Sequence, residues 1–207
     1  MKISKIEVQK RNKERINIYI DEVFAFGLSL DVYLKYKLKK GQDIDDDFIE
    51  NILMEEENNK AINSSLKYLS DRQRSIKEVR DQLKRKGYDD SIIENSIGIL
   101  LEKNYLNDYE FAKSFIRDKS HLNKYGINKI KYDLMNKGVS MDVIEKTLDF
   151  DSDEEYYRAL ELANKKITSY KNLDKSNIYG KLGSFLQRKG YQYTTVSRVL
   201  RKVLNEE

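Results

Sequence analysis

An internal repeat constrains the fold of this chain more than any other feature of its sequence. The segment LKRKGY at residues 83–88 recurs as LMNKGV at residues 134–139 and as LQRKGY at residues 186–191. The glycines of the three copies are 51 and 52 residues apart. Apolar or aromatic residues keep the same positions around each glycine, at 11, 8 and 4 residues before it and at 6 and 10 residues after it. A register shared over three copies indicates a tandem array of one structural unit.

Each copy predicts a module of three helices. The positions before the glycine share one helical face, and the glycine stands where a left-handed residue ends a helix. The two positions after it are i and i+4 of the next helix. Another amphipathic helix precedes each pair, with its apolar residues at Leu66 and Leu69, at Phe111, Ala112 and Phe115, and at Tyr156, Ala159, Leu160 and Ala163. Because stacked modules contact mainly their neighbours, we predict an elongated, curved, mainly α body.

The N-terminal residues follow a different pattern. Apolar residues alternate with their neighbours over residues 16–20 and again over residues 24–28, on either side of the polar pair at residues 21–22. This period of two predicts a small antiparallel β segment of about three strands joined by short turns. Ser29 is placed to cap a short helix that we expect to end near Gly41.

These patterns divide the chain into four predicted segments. They are a small β-rich segment with a short helix at residues 1–44, a linker helix with the first three-helix repeat at 45–105, the second repeat at 106–149, and the third repeat at 150–207. The linker helix begins at the acids of residues 45–47, which stabilise a helix N-terminus. The acidic run at residues 55–57 is interpreted as an exposed helical surface.

Composition excludes several classes of function. The chain has no cysteine and one histidine, His121, which rules out disulfides, thiolate metal sites and clusters of several histidines. It has no phosphate-binding loop of the Walker type and no dinucleotide fingerprint, so we expect no enzyme, no cofactor and no metal. His121 is interpreted as a polar residue at a helix C-terminus. No apolar run approaches the roughly 20 residues of a membrane span and no secretory signal opens the chain, so we expect a cytoplasmic protein.

The charge of the chain is a weaker indication of its partner. Lys and Arg number 39 against 35 Asp and Glu, a net charge of +4 that is low for a dedicated nucleic-acid binder. The helix before the first glycine nevertheless carries a basic stripe, interrupted by Glu78 and Asp81, that consists of Arg74, Lys77, Arg80, Lys84 and Arg85. Such a stripe suits phosphate or an acidic protein groove, but it is also typical of the solvated face of a Lys-rich chain.

Two further features argue against direct reading of DNA by these modules. The last helices of the first two modules open with acids such as Asp89, Asp90 and Asp142, which would face phosphates, and only the third module has basic residues there. Tyrosines could stack on bases, but the helical spacing of Tyr156, Tyr157 and Tyr179 favours core positions.

The repeat residues resemble the RecX family of recombinase regulators. The resemblance rests on residues 68–75, Glu78, Val79, Arg80, Leu83 and 86–88, on Leu106, Asn107, Asp108, Phe111, Ala112, Gly126, Ile130, Leu134 and 137–139, and on 185–191. It covers about residues 60–204 and leaves the β-like segment outside the common family core. Relatives often have proline at the positions of Gln73 and Ile127, where proline would start a helix.

This resemblance implies a fold of tandem three-helix repeats and a non-enzymatic protein of DNA repair, recombination and the SOS response. Its implied partner is the RecA recombinase filament on DNA. Members of the family lie in the helical groove of that filament and lower its ATPase, strand-exchange and coprotease activities. DNA itself is a second implied partner, no membrane is expected, and we expect a monomer.

On the strength of this resemblance, we expect basic residues of the first and third modules to form the binding faces. They are Arg72, Arg74, Lys77, Lys84, Arg85, Lys86, Arg188, Lys189, Arg198, Arg201 and Lys202. Two alternatives stay open, a helical repeat protein that binds nucleic acid alone and a repeat scaffold for an unrelated protein. Filament capping, disassembly and groove obstruction all remain possible modes of regulation.

Overall fold

The structure, a computed structural model, describes residues 1–148, 151–170 and 173–204. These residues form two compact units, one made of Met1–Gln73 with Val79–Leu106 and the other of Arg74–Glu78 with the chain from Asn107 onward. The predicted boundary between the second and third repeats, at residues 149 and 150, lies outside the described residues. The division into four segments therefore stays a prediction.

A three-stranded antiparallel sheet opens the chain, as predicted. Its strands β1 (Ile3–Val8), β2 (Arg15–Ile20) and β3 (Val23–Ser29) are ordered β1-β2-β3. The alternation buries Ile16 and Ile18 of β2, and Asp21 and Glu22 adopt positive φ angles of 46° and 69° in the tight turn before β3. Helix α1 (Leu30–Tyr36) begins where Ser29 accepts the N–H of Val32. It ends at Lys37, which is left-handed, and so stops before the predicted Gly41.

Helix α2 (Asp46–Leu69) is a single helix of 24 residues that serves both as the linker and as the first helix of the first module. Asp45 caps it by accepting the N–H of Phe48 at 2.8 Å. The interpretation of residues 55–57 as exposed surface is wrong at Glu56, whose carboxylate is buried. Arg15 and the Ser29 N–H both donate to it, because α2 packs against the end of the sheet.

The rest of the described chain is helical, which confirms the mainly α fold. The remaining helices are α3 (Ile76–Arg85), α4 (Asp90–Glu102), α5 (Asp108–His121), α6 (Ile127–Asn136), α7 (Met141–Thr147), α8 (Ser152–Ile167), α9 (Lys175–Arg188) and α10 (Tyr193–Leu204), with a short 3₁₀ turn at Thr168–Tyr170. His121 is the last residue of α5, as expected. Within the described residues, no helix is long and apolar enough to cross a membrane.

The repeat register corresponds to real structural positions. Residues 8 and 4 before each glycine and 6 after it are buried in all three modules: Val79, Leu83 and Ile93, then Ile130, Leu134 and Ile144, then Leu182, Leu186 and Val196. The glycines themselves, Gly87, Gly138 and Gly190, have φ angles of 84°, 78° and 91°, so they are the left-handed helix stops that the spacing predicts.

Two of the three tyrosines predicted to lie in the core are exposed. Tyr156 is buried, but Tyr157 is 65% exposed and Tyr179 is 40% exposed. The position of Tyr179 corresponds to the first residues of α3 and α6, Ile76 and Ile127. Those residues are themselves only partly buried.

Candidate interaction surface

The first turn of α3 and the residue before it form a junction with the second module. The Ser75 hydroxyl donates to the Lys137 carbonyl at 2.7 Å, and the Lys77 ammonium donates to the Asn136 carbonyl at 3.0 Å. Lys137 in turn pairs with Glu78 at 2.8 Å. A cation at the end of α6 complements the negative end of the helix dipole. Lys77 is exposed, but its charge already stabilises this junction.

The second and third modules meet through a junction of the same design. The Ile76 N–H donates to Asp108 at 2.9 Å, and the equivalent Ile127 N–H donates to Glu155 at 2.9 Å. In both cases a carboxylate of the next module accepts a free N–H at the start of a middle helix. Glu155 is buried, and it also accepts the Thr195 hydroxyl at 3.2 Å.

This second junction depends on a close approach of two glycines. The Gly126 N–H donates to the Lys189 carbonyl at 2.9 Å, and the Asn128 N–H donates to the Gly190 carbonyl at 3.1 Å. A Cβ atom on Gly126 would lie 2.5 Å from the carbonyl carbon of Gly190. No side chain fits there, so glycine is required at this point of contact.

The second half of α3 carries the charges that remain exposed. Arg80 makes two hydrogen bonds to Glu94, at 2.7 and 2.9 Å, and this contact lowers the pKa of the Glu94 carboxyl. Its charge is therefore matched within the first unit. Lys84 is 3.6 Å from Asp90, and Arg85 donates to the backbone carbonyl of Asp81 and has no ion-pair partner among the described residues. Of the predicted stripe, the two C-terminal residues, Lys84 and Arg85, therefore have the charges most available to a partner.

Three other predicted residues lie around α3. Lys86 is exposed and donates to the Ser64 hydroxyl at 2.6 Å. Arg72 is exposed in the segment between α2 and α3, where it donates to the Gln73 carbonyl. Arg74 is half-buried, so it presents less of its side chain to a partner than Lys84 or Arg85 does. We call Lys84, Arg85 and Lys86, which are consecutive and exposed, the α3-end patch.

The predicted residues of the third module fall into two groups. Arg198, Arg201 and Lys202 lie on one face of α10, because they are three and four residues apart. Arg188 and Lys189 lie at the turn before α10, near the other end of that helix. The structure therefore does not bring the five residues into one cluster.

In each of these groups, one side chain already makes contacts within the protein. Arg198 pairs with Asp153 at 3.0 Å, and its guanidinium carbon lies 3.9 Å from the ring centre of Tyr156, so it holds α10 to α8. Lys189 lies over the ring of Tyr125 at 4.9 Å.

The other three side chains are exposed, and none has an ion-pair partner among the described residues. They are Arg188, Arg201 and Lys202. With the α3-end patch, they are the members of the predicted set whose charges are most available to a partner.

The contacts of several residues on this surface were not found from the sequence. Glu94, Asp108 and Glu155 neutralise or cap groups that lie 14 to 32 residues away in the chain, and no local pattern marks them. The repeat register could have indicated the place of Gly126 in the second junction, since it occupies the position of Ser75 in the preceding copy. In the described ranges, no group of three or more His, Asp or Glu side chains is arranged to hold a metal ion.

Comparison with known proteins places these features in a family. The N-terminal domain of regulatory protein RecX matches residues 1–45, and the first, second and third three-helix domains of RecX match residues 61–98, 107–148 and 153–200. Regulatory protein RecX of Clostridium perfringens is 40% identical over 209 residues, which cover 100% of this chain and 98% of that protein. The chain belongs to the RecX family of regulatory proteins.

Other RecX proteins agree with this membership. Regulatory protein RecX of Bacillus velezensis is 37% identical over 199 residues, covering 96% of this chain and 76% of that protein. A crystal structure of regulatory protein RecX matches 100% of this chain and 99% of its own with a TM-score of 0.82 and 28% identity. RecX from Lactobacillus salivarius matches 70% of this chain and 96% of its own, with a TM-score of 0.65 and 26% identity.

The RecX matches confirm the three tandem three-helix repeats and correct one expectation. The β-rich N-terminal segment does not lie outside the family, because a RecX domain matches residues 1–45. The repeats could be found from their periodicity, whereas three short strands carry no repeated register that would mark them as a family feature.

Proposed function

We propose that this protein regulates the RecA recombinase by binding its filament on DNA, in the helical groove, and lowering its ATPase, strand-exchange and coprotease activities. The observation that carries this proposal is the match to proteins named regulatory protein RecX, which runs over the full length of the chain. The protein acts by binding, without catalysing a reaction of its own.

A tandem array of modules suits a partner that is itself a repeating polymer. When one module is bound, the next is held close to its own site. Several weak contacts can therefore give a high overall affinity for the polymer. The available cations support contacts with an acidic protein surface or with phosphate. In the first unit they are those of the α3-end patch, and in the second unit they are Arg188, Arg201 and Lys202.

The binding role of the α3-end patch can be tested by charge reversal. We expect Lys84→Glu combined with Arg85→Glu to weaken filament binding about tenfold, because each change replaces attraction to the partner by repulsion. Arg74 is left unchanged because it is half-buried and its reversal would also disturb folding. The measurement is fluorescence anisotropy of the labelled protein titrated with RecA on single-stranded DNA.

The matched control is Lys39→Glu combined with Lys40→Glu, another pair of adjacent exposed basic residues in the first unit. This control should bind as the wild-type protein does, and circular dichroism should show that both variants are folded. Unchanged binding by the folded Lys84→Glu, Arg85→Glu variant would remove the α3-end patch from the interface.

A second candidate function is binding to nucleic acid alone. It is favoured by Lys10, Arg11 and Lys13 in the connection between β1 and β2, which are exposed and have no ion-pair partner in the described parts of the chain. A salt titration on bare single-stranded DNA separates the two functions. Tight binding with a steep salt dependence and no preference for the RecA filament supports the second function, and preference for the filament supports the first.

A further inference from the structure

The glycine turns of the second and third modules are each bound by the start of a middle helix, α3 or α6, of the preceding module. At the first junction the Lys137 carbonyl accepts the Ser75 hydroxyl at 2.7 Å. At the second junction the Lys189 carbonyl accepts the Gly126 N–H at 2.9 Å. Ser75 and Gly126 both lie 12 residues before the glycine of their own module. The two junctions therefore share one contact, in which a helix start donates to the carbonyl of the lysine before a turn glycine.

The first junction adds charged groups to this contact. Ser75 and Glu78 form a capping box, in which the Glu78 N–H donates to the Ser75 hydroxyl and the Ser75 N–H donates to the Glu78 carboxylate, both at 3.1 Å. The same carboxylate pairs with the Lys137 ammonium at 2.8 Å. A capped helix start thus presents a hydroxyl donor and a carboxylate to the turn.

The turn of the first module, residues 85–87, has the same groups, but they are exposed. The carbonyls of Arg85 and Lys86 accept no hydrogen bond from the described residues. The Lys86 ammonium donates to the neutral hydroxyl of Ser64, and no carboxylate pairs with it in the described ranges. A Cβ atom on Gly87 would meet no atom within 4 Å. This turn is therefore a third copy of a surface that is covered in the other two modules.

The chemistry of this turn fits a helix start better than it fits DNA. The carbonyls of Arg85 and Lys86 lie at the C-terminal end of α3, where they have no partner within the helix and require donors. The phosphates of DNA offer only acceptor oxygens at neutral pH, so they would meet the cations of the turn but not its carbonyls. A capped helix start offers donors for the carbonyls and a carboxylate for Lys86.

The middle helices of a second copy of this chain do not offer such a start. Those of the first two modules are already bound at the junctions of their own copy. The middle helix of the third module, α9, begins four residues earlier relative to its glycine than α3 and α6 do. Ile178, which corresponds to Ser75 and Gly126, therefore lies inside α9, where its N–H donates to the Asp174 carbonyl at 3.0 Å. The helix start must then come from another protein.

We propose that the turn at residues 85–87 binds the N-terminus of a helix of a protein partner, one that begins with Ser or Thr and has Glu three residues later. The hydroxyl of the partner would donate to the Lys86 carbonyl, and its carboxylate would pair with the Lys86 ammonium, as Ser75 and Glu78 do with Lys137. This contact rests on the proposed function, because the partner is then a RecA subunit of the filament.

The contact can be tested by adding a side chain at Gly87. Gly87→Asn keeps the turn, because Asn adopts the left-handed conformation more readily than most residues, and it places a side chain where the partner helix must approach. We expect it to weaken binding to RecA on single-stranded DNA about tenfold in the anisotropy titration. The matched control is Gly41→Asn, since Gly41 also has a φ of 84° and no atom within 4 Å of its Cβ position. This control should bind as the wild-type protein does, and circular dichroism should show that both variants are folded.

The class of partner is decided by crosslinking. The chain has no cysteine, so Asp89→Cys gives one site for a benzophenone label. Asp89 lies two residues after Gly87, is exposed and makes no side-chain capping hydrogen bond, so the label leaves the α3-end patch intact. Irradiation of the labelled protein on RecA filaments should attach it to a RecA peptide that begins a helix with Ser or Thr and has Glu three residues later. Attachment to DNA alone, or to RecA peptides without such a helix start, would overturn the proposal.

The titration separates this contact from the proposed function. Equal binding by the wild-type protein and the folded Gly87→Asn variant would overturn the contact and leave RecA regulation in place. Absence of binding by the wild-type protein would overturn the proposed function, and the contact with it.

Discussion

At the scale of single residues, the three turn glycines have the same backbone conformation but different surroundings. A Cβ atom on Gly87 would meet no atom within 4 Å, whereas on Gly138 it would lie 2.7 Å from the Cβ of Lys77. On Gly190 it would overlap the backbone of Lys129 at the second junction. The first glycine is therefore required only by its positive φ, and the other two are required also by close packing.

Alanine substitutions separate these two requirements. Gly87→Ala should lower the free energy of unfolding by about 1–2 kcal/mol, the cost of a left-handed conformation for an L-residue. Gly190→Ala should lower it by about 1–3 kcal/mol more, because the added methyl group displaces the backbone of α6. Urea denaturation of the two variants measures the difference. Equal losses would show that the contact between the turn and α6 does not form.

At the scale of elements, α8 is tied to the loop between α5 and α6 by a carboxylate between two lysines. Glu161 of α8 accepts from Lys124 at 3.0 Å and from Lys165 at 2.8 Å. These hydrogen bonds, with the charges of both lysines, lower the pKa of Glu161 from an ordinary 4.5 to about 2. Since the pKa is depressed in the folded state, the contribution of Glu161 to stability is present above pH 4.5 and is lost as the pH falls towards 2.

The stability of the variant Glu161→Gln should therefore depend less on pH in the acid range. Between pH 4.5 and pH 2 the urea midpoint of the wild-type protein should fall more than that of this variant, because the variant has no carboxylate to protonate at this tie. Glu145→Gln, an exposed change on α7, serves as the control and should follow the wild-type curve. Parallel curves for Glu161→Gln and the wild-type protein would show that the tie contributes nothing to folding.

At the scale of the whole molecule, the sequence predicts what depends on short spacings. The repeat register, the glycine stops, the cap at Ser29 and the acidic start of α2 all follow from residues a few positions apart, and the structure contains each of them. The available charges could not be predicted in the same way. Arg80 is neutralised by Glu94, 14 residues on, and Lys77 is held by a carbonyl 59 residues on. Such partners meet only when the chain has folded.

Burial also depends on contacts between distant parts of the chain, which is why the predictions for Glu56 and Tyr179 were wrong. Glu56 is buried because Arg15, 41 residues earlier, lies against it, although its acidic neighbours indicate an exposed surface. Tyr179 has the spacing of a core residue, but it is 40% exposed, and the residues at the same position of the other two modules, Ile76 and Ile127, are only partly buried. Pattern alone therefore finds the modules, while the charges and surfaces between elements require their three-dimensional contacts.

The most direct test of the proposed function is ATP hydrolysis by RecA on single-stranded DNA in the presence of the purified protein. A regulator that binds along the filament through several modules should act on more than one RecA subunit at a time. We predict that hydrolysis falls when fewer copies of this protein than of RecA are added, and that the filaments shorten or stop growing. Hydrolysis and filament length that stay unchanged up to equimolar amounts would contradict a role in RecA regulation.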